Sequence, residues 1–97
     1  MYCVISWDIS AENPRWRLIN DQLLNCLAGY QYVRPVYTFY LVTINSAADV
    51  TAIRICFDAV KQRTREPIGY ILSPPFSGHT WTGTIADWAS VNAVTQA

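Results

Sequence analysis

Asp8 closes an apolar run, Tyr2-Cys-Val-Ile-Ser-Trp7, and it is the residue in this chain best placed to do chemistry. In a symmetric dimer, two such carboxylates at matching strand ends would share one Mg²⁺ or Mn²⁺. These hard ions keep most of their waters and accept few protein ligands, and the bound ion would activate a water against a phosphodiester. Asp8 is thus the expected catalytic residue and metal ligand. It also reads as a turn or cap residue accepting N–H bonds from Ser10 or its neighbours. Ser10 and Glu12 fit either as supporting groups of that site or as a solvated turn. Arg15, Arg17 and Arg34 carry planar forks suited to phosphate. They are the expected nucleic-acid contacts, with ordinary exposed charges as the plainer reading.

The aromatic series Tyr30, Tyr32, Tyr37 and Tyr40 has the types that stack bases on a sheet surface. The pattern expected of an RNA-binding sheet is absent, which favours cross-strand packing or a dimer interface. Tyr37, Tyr40, Trp81 and Trp88 are the expected interface residues, the two tryptophans pinning the tail to its own core or across the interface. His79 is the only histidine. It has no His, Cys or carboxylate at ligand spacing, so it reads as structural or exposed. Nothing singles out a Ser/His/Asp triad. Cys3, Cys26 and Cys56 are odd in number, lack a CxxC pair and lie in apolar segments. Each reads as a small buried hydrophobe in a reducing, cytoplasmic compartment.

The elements that would position these residues must fit in 97 residues, enough for one domain. Apolar residues make up 52% and charged residues 14%, against about 25% charged in an average soluble domain. A surface so short of charge points to cover by a partner. The net charge is zero, which counts against a protein that holds nucleic acid by phosphate neutralisation alone. It leaves room for a metal-dependent nuclease, whose ion supplies positive charge locally. The apolar stretches fall well short of a membrane span, and the N-terminus runs straight into a strand with no basic flank or cleavage site.

Residues 2–7 read as a central strand buried on both faces and ended by Asp8. Asn13-Pro14 opens a helix with Asn13 as N-cap. Trp16, Ile19, Leu23 and Leu27 repeat along that helix beside Cys26, and Gly29 is the expected stop. Residues 30–44 are strand material, divided into two short strands by a turn or bulge near Arg34-Pro35. Ser46 to Asp49 is a capping-box variant opening a second helix that buries Val50, Ile53, Phe57 and Val60. Lys61, Arg63 and Arg65 crowd its end before Pro67. Residues 68–72 form the last core strand. The order is that of the split βαβ arrangement: an α+β, ferredoxin-like βαββαβ domain over residues 1–97. Its core spans about residues 2–72, and residues 73–97 add a C-terminal strand and short helix around Trp81 and Trp88. Two helices would cover one face of the antiparallel sheet. The largely apolar other face calls for a second protomer. It presents Tyr2, Val4, Ser6 and Asp8 if Cys3, Ile5 and Trp7 face the helices, and strand parity leaves the opposite assignment open.

YCVISWDIS at residues 2–10 resembles the first strand of the small CRISPR-associated adaptation subunit, a metal-dependent nuclease family of ferredoxin-like fold. That strand ends in Tyr-Asp-Ile, matched here by Trp7-Asp8-Ile9, and an arginine-bearing helix follows, as with Arg15 and Arg17. RPVYTFYL at residues 34–41 looks like that family's hairpin, with Val36 where the family has a glutamine. The tail is more similar to the SinR/VapD-like small proteins, which carry a terminal Trp-x-Gly and a further Trp, as at Trp81-Thr82-Gly83 and Trp88. The resemblance covers about residues 2–90. It implies a homodimeric, Mg²⁺- or Mn²⁺-dependent endonuclease or ribonuclease acting on RNA or DNA. The competing expectation is a non-catalytic dimer that binds nucleic acid or protein as an antitoxin, regulator or assembly subunit. A third is a dimeric small-molecule sensor.

Overall fold

A computed structural model of the chain describes residues 1–36 and 39–77, together with the backbone of the strands they form. The element order is β1 (Tyr2–Ile9), α1 (Arg15–Asn25), β2 (Gln31–Val36), β3 (Phe39–Thr43), α2 (Ala47–Thr64) and β4 (Ile68–Leu72). The four strands make one sheet in the order β2-β3-β1-β4, every neighbouring pair antiparallel. This is the α+β, ferredoxin-like arrangement expected from the sequence. The expected residues Tyr37, His79, Trp81 and Trp88 lie outside the described residues.

Alternation along β1 sorts its side chains. Cys3, Ile5 and Ile9 are buried among Ile19, Leu23, Ile53, Phe57 and Val60 from the helices, and Trp7 packs against them. Tyr2, Val4, Ser6 and Asp8 therefore take the helix-free face, which settles the parity. β1 is central, but it is fully buried on the helix side alone; Tyr2, Val4 and Ser6 are half-buried and Asp8 is exposed. Nor does Asp8 end the strand. It lies within the ladder opposite Gly69, and Ile9 pairs with Ile68 beyond it.

The helix-free face is less bare than its composition suggests. Val4 lies opposite Leu41, which lies opposite Val33, and Leu41 and Val33 are 3% and 6% exposed. Ile71, beside Ser6 on β4, is 77% exposed.

The break between β2 and β3 falls after Val36, later than Arg34-Pro35. Proline lacks the N–H a ladder needs, and here it produces a register shift between Val33 and Val36 instead of a strand end. Helix α1 begins at Arg15 with Pro14 in the capping position, so Asn13 is not its N-cap. The Asn13–Pro14 bond is cis. The Glu12 carbonyl accepts the Trp16 N–H at 2.9 Å, satisfying part of the first turn. Helix α1 closes at Cys26, whose backbone N–H donates to the Leu23 carbonyl at 3.0 Å, in a tight turn through Leu27 and Ala28. Gly29 does not adopt the left-handed stop conformation. Helix α2 forms as its sequence dictates. The Asp49 carboxylate accepts the backbone N–H of Ser46 at 3.3 Å and of Asn45 at 2.7 Å, completing the capping box. Arg65, with φ 56°, ends it in the left-handed region.

Two cysteines are not the reduced hydrophobes the sequence suggests. Cys26 and Cys56 form a disulfide that joins the end of α1 to the middle of α2. Spacing alone did not reveal the pair, because the packing of the two helices creates it. Disulfides persist in oxidising surroundings, so the cysteines give no ground for a reducing compartment. Cys3 is free and buried. No helix among the described residues is long and apolar enough to cross a membrane.

Candidate functional site

Asp8 lies on the helix-free face near the C-terminal end of β1, where its neighbour across the ladder is Gly69. A Cβ at Gly69 would meet nothing within 4 Å, so open space adjoins the Asp8 position. Ser6, Asp8, Gly69 and Ile71 border a shallow depression of about 480 Å³ on this face. The Asp8 carboxylate makes no hydrogen bond or ion pair with any described residue. Ser10, two residues on, donates its backbone N–H to the Pro67 carbonyl at 3.0 Å, tying the strand end to the start of β4.

The three arginines separate. Arg15 forms an ion pair with Glu66, and its Nη2 donates to the Thr64 carbonyl at 2.7 Å. It thereby fastens α1 to the end of α2, and its charge is largely neutralised there. Arg17 is exposed on α1 beside Asn13 and Pro14. Arg34 stands on the helix side of the sheet, with its guanidinium carbon 5.3 Å from the centre of the Tyr40 ring. That is a cation–π distance.

Arg34 belongs to a cleft of about 160 Å³ lined by Trp7, Asp8, Ile9, Trp16, Asn20, Arg34 and Tyr40. Trp7 and Tyr40 stack within it, their centres 4.7 Å apart and their planes 2° from parallel. Trp7 also meets the edge of Phe57 at 5.4 Å, and its indole Nε1–H donates to Asn20 Oδ1 at 2.9 Å. Tyr40 is 7% exposed and touches Tyr32 edge-on at 5.4 Å. It packs inside its own chain, leaving little surface for a dimer interface to cover.

Asp8 thus borders two hollows on opposite sides of the sheet. One holds the aromatic cleft with Arg34, the other holds Ser6, Gly69 and Ile71. The sequence pointed to Asp8 and Arg34 and missed Asn20, Trp7 and Trp16 as site residues. The signal for two of them was present: Trp16 and Asn20 are four apart on α1, hence neighbours on one helical face.

The fit of a metal to these residues is testable on their chemistry. Among the described residues, no group of three or more His, Cys, Asp or Glu side chains could hold a metal ion. Mg²⁺ requires only one or two carboxylates with water in its other positions, so the Asp8 carboxylate fits as one ligand of such an ion. No family model, curated protein or solved structure matches this chain.

Proposed function

We propose that this protein is a homodimeric, metal-dependent nuclease, akin to the small CRISPR-associated adaptation and SinR/VapD-like proteins. Asp8 holds a Mg²⁺ or Mn²⁺ ion together with the same residue of a second copy. The observation that carries this reading is the placement of Asp8: exposed, its carboxylate without a hydrogen-bond or ion-pair partner among the described residues, and beside the open space over Gly69. A bound ion supplies the activated water for phosphodiester hydrolysis. Asp8 fixes the ion, and Arg34 and Arg17 offer charge to RNA or DNA; Arg15 is paired with Glu66. The exposed Ile71 next to this face and the low share of charged residues support pairing of two copies across it.

A second reading is favoured by one specific observation, Val36 standing where the resembled nuclease family has a hairpin glutamine. It is a non-catalytic dimeric module that binds nucleic acid or protein, as an antitoxin, regulator or assembly subunit. Cleavage of short RNA and double-stranded DNA with Mg²⁺ or Mn²⁺ separates the two. Wild type is expected to cleave at least one substrate, and Asp8→Asn or a chelator is expected to abolish it. Equal traces in wild type and variant, or none in either, would leave the binding module as the reading.

A further inference from the structure

We infer that the cleft between α1 and the β1–β3 strands is a pocket for a single nucleobase, with Arg34 at its mouth taking the attached phosphate. The inference rests on the nucleic-acid part of the reading above and does not depend on cleavage. Size is the first argument. At about 160 Å³, the cleft is well below the roughly 300–1,000 Å³ of ordinary ligand pockets and would hold about five waters. That is room for one planar ring system. The second argument is the lining. Trp7 and Tyr40 are already stacked on each other, so Trp16 supplies the aromatic surface beside them, and unpaired bases are held by stacking on such rings.

Asn20 supplies the third argument. Indole nitrogen is a donor only, so its bond to Asn20 fixes the amide oxygen towards Trp7. The amide NH₂ remains, and it makes no hydrogen bond to any described residue. Its two donors stand at the cleft, and every nucleobase offers ring nitrogen or carbonyl acceptors on its edge. A purely apolar ligand would leave these donors unsatisfied, which is costly in a partly buried site. Arg34 adds a cation to the same cleft, so the combination suits a base carrying a phosphate better than a neutral ring. The nucleotide comes either free or as part of a single strand.

The test follows the Trp7 indole and Asn20 side-chain amide resonances of the full chain by NMR. The titrants are each of the four ribonucleoside monophosphates, a short single-stranded RNA and a double-stranded DNA. Saturable shifts of both signals are expected with at least one monophosphate or with the single strand. Tighter binding of the strand than of its monomer identifies a strand as the source, and equal binding identifies a free nucleotide. Asn20→Asp keeps an oxygen for Trp7 and removes the two donors, and it is expected to weaken binding about tenfold or more. Trp16→Leu is expected to do the same through lost stacking. Arg34→Gln, at an exposed position, is expected to weaken the monophosphate more than the free nucleoside. An unfolding midpoint checks that each variant folds. If millimolar monophosphates and the single strand leave both wild-type signals unmoved, the inference is overturned without recourse to any variant. It is equally overturned if folded Asn20→Asp and Trp16→Leu bind as wild type does. Loss of the nuclease reading shows separately, as cleavage indifferent to Asp8→Asn.

Discussion

Tyr70 shows how one side chain can record its surroundings. Its hydroxyl donates to Asp58 Oδ1 at 2.6 Å. Burial first, then the hydrogen bond and charge of Asp58, push its pKa from 10 to about 12. A raised pKa in the folded state favours the protonated form, so this group's contribution to stability is complete below pH 10. It is lost as the pH rises towards 12, because the unfolded chain releases the proton first. Tyrosinate absorbance is expected to show a step near pH 12 in the native protein that Tyr70→Phe removes. Cys3 behaves in parallel: burial, with a smaller effect from Asp49, raises its thiol to about 11. A thiol held neutral and out of reach is inert. A thiol reagent is therefore expected to find no reactive cysteine in the native oxidised protein, one after denaturation, and all three after reduction. A reactive thiol in the native state would contradict the burial of Cys3 or the Cys26–Cys56 bond. At this scale the sequence exposed Asp8, a charge at the end of an apolar run. It concealed Asn20, an ordinary helix polar residue whose meaning comes from the indole it faces.

At the scale of elements, α2 was the most legible part of the chain, because Ser46 and Asp49 mark its start locally and Pro67 bars its continuation. Ser46→Ala is expected to cost about 1 kcal/mol, read as a lower denaturant midpoint at unchanged slope. The strands were legible in type and order. Their limits were not, since the shift at Arg34-Pro35 is resolved by how β2 meets β3. Helix α1 was legible by its apolar spacing and misread at both ends. Its link to α2 was invisible, because no local pattern reports that Cys26 and Cys56 meet. They are 30 residues apart, so the cross-link is expected to contribute about 3–4 kcal/mol by restricting the unfolded chain. A Cys26→Ser, Cys56→Ser double variant is expected to unfold at correspondingly lower denaturant, and reductant to reproduce the loss in wild type. An equal midpoint with and without reductant would refute the bond's role.

For the molecule as a whole, the order of elements sufficed to specify the fold, since few sheet topologies suit alternating strands and helices of these lengths. Which hollows form on either side of that sheet was not specified. They depend on how Trp16 and Asn20 of α1 meet Trp7 and Tyr40 and on the absent side chain at Gly69. The proposed pairing of two copies belongs to this scale. Sedimentation is expected to show a dimer at micromolar concentration. Ile71→Lys, at a position 77% exposed, is expected to shift it towards monomer without lowering the unfolding midpoint. A wild-type monomer at high micromolar concentration would remove this part of the proposal.

The Cys26–Cys56 bond also makes the chain a closed ring with two tails. Both strands of the β2–β3 hairpin lie within the ring, while β1 and β4 belong to opposite tails. The middle of the sheet is therefore a seam between ring and tail, where β3 meets β1. Inside the ring the basic residues are Arg34, shielded from trypsin by the proline that follows, and Arg54. A nick at Arg54 severs the backbone but leaves a single covalent molecule, which separates into two fragments only when a reductant opens the ring.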